Sequence, residues 1–141
     1  MIKKTFIYLM LTLFTTAVAA EELFMKCGTF SYKYVQDPIG DKVYYKHKKM
    51  TKNKYQEFCA EAPTDGDIKN GMLTREGWTR IIKDNKATCL IKKTTYKNNI
   101  ERTNAVSVSD FVNLTRHLEW YHTNTGSTKN VKDITCKKRK K

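Results

Sequence analysis

The chain has 141 residues, of which 40% are hydrophobic and 29% charged, and its formal net charge is +13. A chain of this length forms one domain, and no run after the first twenty residues is apolar enough to cross a bilayer as a helix, which takes about 20 apolar residues. The excess of basic side chains favours anionic partners such as nucleic acid or anionic lipid.

Residues 1–20 have the three-part layout of a secretory signal peptide. Two lysines open the segment, residues 5–20 carry no charge, and small residues close it. We expect cleavage near Ala19 or Ala20 and export to the periplasm or the cell exterior. Without Lys3 and Lys4 the net charge falls from +13 by two to +11, and no transmembrane segment remains.

The four cysteines all follow the predicted cleavage point, at Cys27, Cys59, Cys89 and Cys136. An even number of cysteines in a small exported chain is typical of a disulfide framework. None forms the close C-x2-C pair that structural zinc sites use, so we expect two bridges and no metal. Four cysteines allow three connectivities, and the sequence does not select one. Pairing Cys27 with Cys136 would tie the first strand to the last, with Cys59–Cys89 nested inside.

Alternating apolar residues predict strands over residues 23–27 and 30–34. The two runs are out of phase by one residue, and Gly28 lies at the slip, which predicts a β-bulge. A turn is predicted at Asp37–Asp41, which contains Pro38 and Gly40, and alternation resumes over Val43–Lys49.

The middle of the chain predicts a long loop and a hairpin. Glu61–Gly71 contains a proline, two glycines and three acidic residues, which favours a loop. Gly77–Ile82 and Ala87–Ile91 are rich in β-branched residues and flank Lys83–Lys86, so we expect a hairpin with a four-residue loop. A further turn is predicted at Lys97–Asn99.

Residues 105–123 carry two competing periodicities. Phe111, Leu114, Leu118 and Tyr121 fall on one helical stripe, whereas residues 106 and 108 alternate as in a strand. We expect strands here, with one helix around residues 110–122 as the alternative. After a turn at residues 124–127, residues 131–136 predict a final strand. The predicted fold is mainly β: a small antiparallel sheet, sandwich or barrel-like, in a single disulfide-stabilised domain over residues 21–136.

The sequence contains no pattern that identifies a catalytic, metal or cofactor site. His117, Glu119 and His122 resemble a metal cluster, but in a strand His117 and Glu119 share one face while His122 points away. The third histidine, His47, is distant in sequence from His117 and His122. G-x-S-x-G, H-E-x-x-H and glycine-rich phosphate loops are absent, so we expect no catalytic residues, no metal and no cofactor.

The strongest functional signal is basic charge interleaved with tyrosines. The predicted anion-binding residues are six lysines between Asp41 and Glu57, namely Lys42, Lys46, Lys48, Lys49, Lys52 and Lys54. Residues 137–141 are all basic, and we expect them to form a C-terminal tail outside the folded domain. Lysines with neighbouring aromatic rings can hold phosphate or carboxylate polymers.

These features together indicate a small exported, non-catalytic module that binds polyanions through its surface. Its expected partners are anionic lipid, lipopolysaccharide or nucleic acid. The alternatives are a small secreted hydrolase of the ribonuclease kind, or an inhibitor of another envelope protein.

Overall fold

A computed structural model describes residues 21–122 and 129–140 of the chain. These residues form ten β-strands and one short helix, which confirms the expected mainly β fold. The strands are β1 (Glu22–Cys27), β2 (Phe30–Val35), β3 (Lys42–Lys46), β4 (Gln56–Glu57), β5 (Met72–Lys83), β6 (Lys86–Tyr96), β7 (Glu101–Asp110), β8 (Thr115–His122), β9 (Lys129–Thr135) and β10 (Lys137–Arg139). The helix α1 spans Asp65–Lys69, and a 3-10 turn at Lys97–Asn99 joins β6 to β7. The predictions for residues 1–20 and 124–127 lie outside the described residues.

The strands form two antiparallel sheets of five strands each. The N-terminal sheet has the order β10-β1-β2-β3-β4, and the C-terminal sheet has the order β5-β6-β7-β8-β9. Neighbouring strands are consecutive in the chain except where β10 returns to pair with β1. Within the described residues, none of the helical segments has the length and apolar character needed to cross a bilayer.

The two sheets pack face to face, as in a β-sandwich. Met25 and Tyr34 of the N-terminal sheet and Ala87 and Cys89 of the C-terminal sheet are buried in one cluster. The rings of Tyr34 and Phe111 pack edge to face, with their centroids 5.4 Å apart. This apolar burial is the main force that holds the layers together.

Two disulfide bonds connect the layers. Cys27 at the end of β1 is bonded to Cys136, which follows β9, and Cys59, which follows β4, is bonded to Cys89 in β6. This is the pairing expected from the positions of the first and last strands. Each bridge therefore joins the N-terminal sheet to the chain of the C-terminal sheet.

The alternative of a helix around residues 110–122 is wrong. β7 runs to Asp110, a turn follows, and β8 begins at Thr115. The Asp110 carboxylate accepts hydrogen bonds from the backbone N–H groups of Val112 at 3.0 Å and Asn113 at 2.9 Å, which closes the turn. Leu114 leaves the turn with a φ of 55°. Such an Asp can also cap a helix, but the left-handed φ of Leu114 is incompatible with a continuing α-helix, and β8 begins at the next residue.

The β-bulge predicted at Gly28 is also wrong. Cys27 pairs with Phe30, so residues 28 and 29 form the loop of a two-residue hairpin, and Gly28 takes a φ of 64°. Residues paired across an antiparallel hairpin point to the same face, and an even-numbered loop therefore reverses the phase of the alternation. The hairpin loop at Lys83–Lys86, predicted to have four residues, has only two. Lys83 and Lys86 pair with each other, and Asp84 and Asn85 alone form the loop, with φ of 53° and 59° as a type I′ turn requires.

Two loop boundaries differ from the prediction. Residues 65–69 of the predicted 61–71 loop form α1, because Thr64 and Asp67 make a capping box: each side chain binds the other residue's backbone N–H. β3 ends at Lys46 rather than Lys49, since the carbonyl of His47 accepts hydrogen bonds from the backbone N–H groups of Thr51 and Asn53.

The prediction that the basic tail lies outside the folded domain is wrong for residues 137–139. Residues 137–139 form β10, an edge strand that pairs with β1 in the register Phe24 to Arg139 and Lys26 to Lys137. The disulfide of Cys136 to Cys27 brings the chain beside the end of β1, so that the residues that follow run antiparallel to it. Lys137 and Arg139 therefore belong to the N-terminal sheet.

Candidate anion-binding site

The outer face of the N-terminal sheet carries cationic and aromatic side chains at neighbouring positions. We call this surface the basic face and define it by the residues Phe24, Lys26, Lys33, Tyr44, Lys46 and Arg139. Phe24 pairs with Lys33 on one side and Arg139 on the other, and Lys33 pairs with Tyr44. Because paired residues of adjacent strands point to the same side of a sheet, the register alone brings these side chains together.

A groove of about 610 Å³ runs over the basic face. Five cationic side chains line it, and they come from three separate parts of the chain: Lys26, Lys33, Lys46, Arg139 and Lys140. Glu22 is the acidic residue among its lining. The groove therefore carries a strong excess of positive charge that a linear anion could neutralise.

Tyr55 forms one wall of this groove and holds two of the cations. The Lys33 ammonium lies 4.5 Å from the centre of the Tyr55 ring and 5.0 Å from that of Tyr44. The Lys46 ammonium lies 4.6 Å from the Tyr55 ring. Burial, and secondarily the charge of Glu22, raises the pKa of the Tyr55 hydroxyl, so the ring stays neutral at physiological pH. These cation–π contacts fix the two ammonium groups near each other despite their like charge.

The structure divides the six predicted lysines among different surfaces. Lys46 lines the groove, and Lys42 is exposed on the same strand. Lys48 and Lys49 are exposed in the loop after β3. Lys52 and Lys54 line a different depression, which they share with Asp65, Ile68 and Lys69 of α1. A run of lysines along the chain is thus not one site.

Among the other cations of the groove, sequence reasoning missed Lys26 and Lys33, and it named Arg139 and Lys140 only as part of a basic tail that it placed outside the folded domain. A signal for two of them was present, because Lys26 and Lys33 occupy the outward positions of strands that the alternation had predicted. Arg139 reaches the groove because the Cys27–Cys136 bridge and the pairing of β10 with β1 bring the basic tail beside Phe24.

The three histidines occupy three separate environments. His117 lies on the outer side of the C-terminal sheet, and His122 accepts a hydrogen bond from the indole N–H of Trp120 at 3.1 Å. The ring of His47, which follows β3, packs on Phe30 with the centroids 4.8 Å apart. Within residues 21–122 and 129–140, no group of three or more His, Cys, Asp or Glu side chains is arranged to hold a metal ion.

His117 is held between two carboxylates. Its Nδ1 lies 2.5 Å from Asp133 Oδ1, and its Nε2 lies 2.8 Å from Glu119 Oε1. Both ring nitrogens must carry a proton to make both contacts, so the charged imidazolium is favoured. The bond to Asp133 is the larger cause and the bond to Glu119 the next, and together they raise the pKa of His117 above 6.5.

We expect the NMR titration of His117 to show a midpoint above 6.5, and Asp133→Asn to lower that midpoint. A raised pKa means that protonated His117 stabilises the pairing of β8 with β9 fully below pH 6.5. This contribution is lost as the pH rises through the folded-state pKa. The variant His117→Gln assigns the resonance, and a wild-type midpoint at or below 6.5 contradicts the prediction.

The fold and the basic face together define a small disulfide-bonded β-sandwich with a cationic groove on one outer surface. No protein-family model, curated protein or solved structure matches this chain.

Proposed function

We propose that this protein is a non-catalytic module that binds a linear polyanion in the groove of the basic face, and that single-stranded nucleic acid is the polyanion it fits best. The observation that carries the proposal is the convergence of five cationic side chains and the ring of Tyr55 in one groove. A polyanion that enters releases its condensed counterions, which makes the binding favourable and dependent on salt.

The aromatic rings favour a nucleic acid over an anionic membrane. Phe24 and Tyr55 line the groove with the lysines, and base–aromatic stacking is worth about 1–3 kcal/mol per base. A groove walled by Tyr55 also suits a chain-like ligand better than the flat surface of a bilayer. Lipopolysaccharide and anionic lipid, the other expected partners, therefore become outcomes of the test.

The composition of the basic residues argues for binding without sequence preference. Only five of the 27 basic residues are arginines, and specific readout of bases relies on bidentate arginine contacts. Lysine acts as a point charge on the phosphate backbone. The ligand is thus read by its charge and by the stacking of its bases.

Export remains part of the proposal. Two disulfide bonds fit an oxidising compartment such as the periplasm or the cell exterior. There the protein would meet extracellular nucleic acid or the anionic polymers of an envelope.

The triple variant Lys33→Gln, Lys46→Gln and Arg139→Gln should bind a fluorescent dT15 oligonucleotide much more weakly than the wild type does. The slope of log affinity against log salt is negative, and each lost phosphate contact makes it less steep by about 0.7. The three substitutions together should therefore flatten the slope by about 2. Fluorescence anisotropy between 25 and 200 mM NaCl, roughly the range in which such contacts dominate, measures the slope.

A matched control removes the same charge from another surface. Lys83, Lys86 and Lys97 are exposed at the ends of the C-terminal sheet, and their triple Gln variant should keep the wild-type slope within about 0.5. Equal losses in the two triples would mean that net charge alone drives binding, and the groove would be refuted. Binding to phosphatidylglycerol or lipopolysaccharide vesicles but not to dT15 would replace nucleic acid with a membrane surface. Absence of binding to both at 0.15 M NaCl, roughly physiological ionic strength, would overturn the proposal.

A further inference from the structure

A second site lies between the two sheets, on the opposite side of the N-terminal sheet from the basic face. It is an open cavity of about 380 Å³, within the range of about 300–1,000 Å³ typical of small-molecule sites. Most of its wall is apolar or aromatic, with Phe30, Tyr45, Met50, Ile91 and Leu118 among the lining side chains. The cavity can therefore take the apolar part of a small molecule.

Arg116 places a buried positive charge in the wall of this cavity. The residue is only 6% exposed, and its guanidinium lies 4.8 Å from the Tyr32 ring and 5.4 Å from the Phe58 ring. Its Nη1 donates hydrogen bonds at 2.8 Å to the hydroxyls of Ser107 and Ser109, which are neutral. None of the described carboxylates lies within 4.0 Å of it. A buried charge without a counter-charge is costly, because neutral partners replace only part of its hydration.

The other charges of the cavity do not offset Arg116. Asp67 pairs with Arg75 at 3.0 Å, and the two charges cancel. The Arg75 side chain is 5% exposed, and its Nε–H is buried without a hydrogen-bond partner. Lys132 lies at the rim, where its ammonium is exposed to water. One positive charge without a carboxylate partner, that of Arg116, thus remains in the wall of the cavity.

We propose that this cavity binds a small amphipathic monoanion, a carboxylic acid whose carboxylate pairs with Arg116 and whose apolar body lies against Phe30, Tyr45 and Leu118. A single negative charge matches the single uncompensated guanidinium, and a planar carboxylate matches the geometry of its N–H donors. The apolar walls disfavour an inorganic anion, which would lose its hydration without gaining apolar contacts. A polymer bound to the basic face lies on the other side of the sheet, so the two sites are independent.

The test compares two probes of equal shape that differ in charge, naphthalene-2-carboxylate and naphthalene-2-carboxamide. Isothermal titration calorimetry with the oxidised full chain should show saturable binding of the carboxylate, tighter than that of the amide by about 10- to 100-fold. Arg116→Met should abolish this preference, because it keeps the bulk of the side chain and removes the charge. Arg116→Lys should keep part of it, and Lys132→Gln, which removes a charge from the rim, should leave the preference nearly unchanged.

NMR of the unmodified protein locates the site without relying on any variant. Binding of the carboxylate should shift the methyl resonances of Ile91, Leu118 and Ile134, which line the cavity. The methyls of Ile81, Leu90 and Val131, exposed on the C-terminal sheet, should not move. Shifts confined to those exposed methyls, equal affinities for the two probes, or absence of saturable binding would each overturn the proposal. The triple variant of the basic face should bind the carboxylate as the wild type does, so the failure of one site is distinguishable from the failure of the other.

Discussion

Removal of the Cys27–Cys136 bridge should lower the free energy of unfolding by about 2–5 kcal/mol, a large share of the roughly 5–15 kcal/mol typical of a small domain. The bridge joins residues 109 positions apart, and closing a long loop restricts the unfolded chain most. The double variant Cys27→Ser, Cys136→Ser avoids a leftover thiol. Urea unfolding followed by tryptophan fluorescence measures the change.

The other bridge supplies the control, because it spans only 30 residues. Cys59→Ser with Cys89→Ser should destabilise by somewhat less in the chain-entropy account. The two double variants should differ more clearly in binding. Loss of Cys27–Cys136 releases β10 from its anchor and takes Arg139 away from the basic face, whereas loss of Cys59–Cys89 leaves β10 in place. Equal affinity of both variants for dT15 would show that β10 stays paired with β1 without the bridge.

The strands could be predicted from the sequence wherever a local pattern determined them. Alternation over residues 23–27 and 30–34 gave β1 and β2, and β-branched residues around Asp84 and Asn85 gave the hairpin of β5 and β6. Period-2 alternation and turn chemistry act between near neighbours, so a single sequence carries them. The loop lengths were less well predicted, since a two-residue loop and a bulge leave similar changes of phase.

The region around residues 110–122 was ambiguous because its deciding interactions are not periodic. Phe111 and Leu114 fit a helical stripe, yet both lie in a turn that the Asp110 carboxylate closes. Phe111 is buried because it meets Tyr34 of the other sheet. A contact between layers overrides the local periodicity, and no window of the sequence contains both partners.

The candidate sites were harder to predict than the strands, because their residues are distant in the chain. The groove joins Lys26 and Lys33 to Arg139 through strand pairing and a disulfide. The run from Lys42 to Lys54, which is continuous in sequence, is divided by alternation and a loop. Arg116 did carry a signal, because it shares the inward phase of Leu118 in β8, but a single arginine at such a position does not reveal a cavity.

Tyr34→Ala should be among the most destabilising single substitutions, at about 3–5 kcal/mol of unfolding free energy. The side chain is fully buried, and its ring packs against Phe111 across the two sheets. Its hydroxyl donates a hydrogen bond to Asp41 Oδ2 at 2.5 Å. Burial is the main cause that raises the pKa of Tyr34, so the hydroxyl remains protonated and stays a donor throughout the neutral range. Urea unfolding at pH 7 measures the loss.

Two matched variants separate the causes of this loss. Tyr34→Phe keeps the ring and removes only the hydroxyl, so it should cost about 0.5–1.5 kcal/mol, the net value of one hydrogen bond. Tyr44→Ala removes the same side chain from the outer face of the adjoining strand β3, where it is only partly buried, and should cost less than half as much as Tyr34→Ala. Were Tyr44→Ala as damaging as Tyr34→Ala, the contact of Tyr34 with Phe111 could not be a main link between the layers. A large loss in Tyr34→Ala alone would show that contacts between the inner faces of the two sheets stabilise the sandwich. The side chains on the outer face of the N-terminal sheet would then contribute little to stability and could carry the charges used for binding.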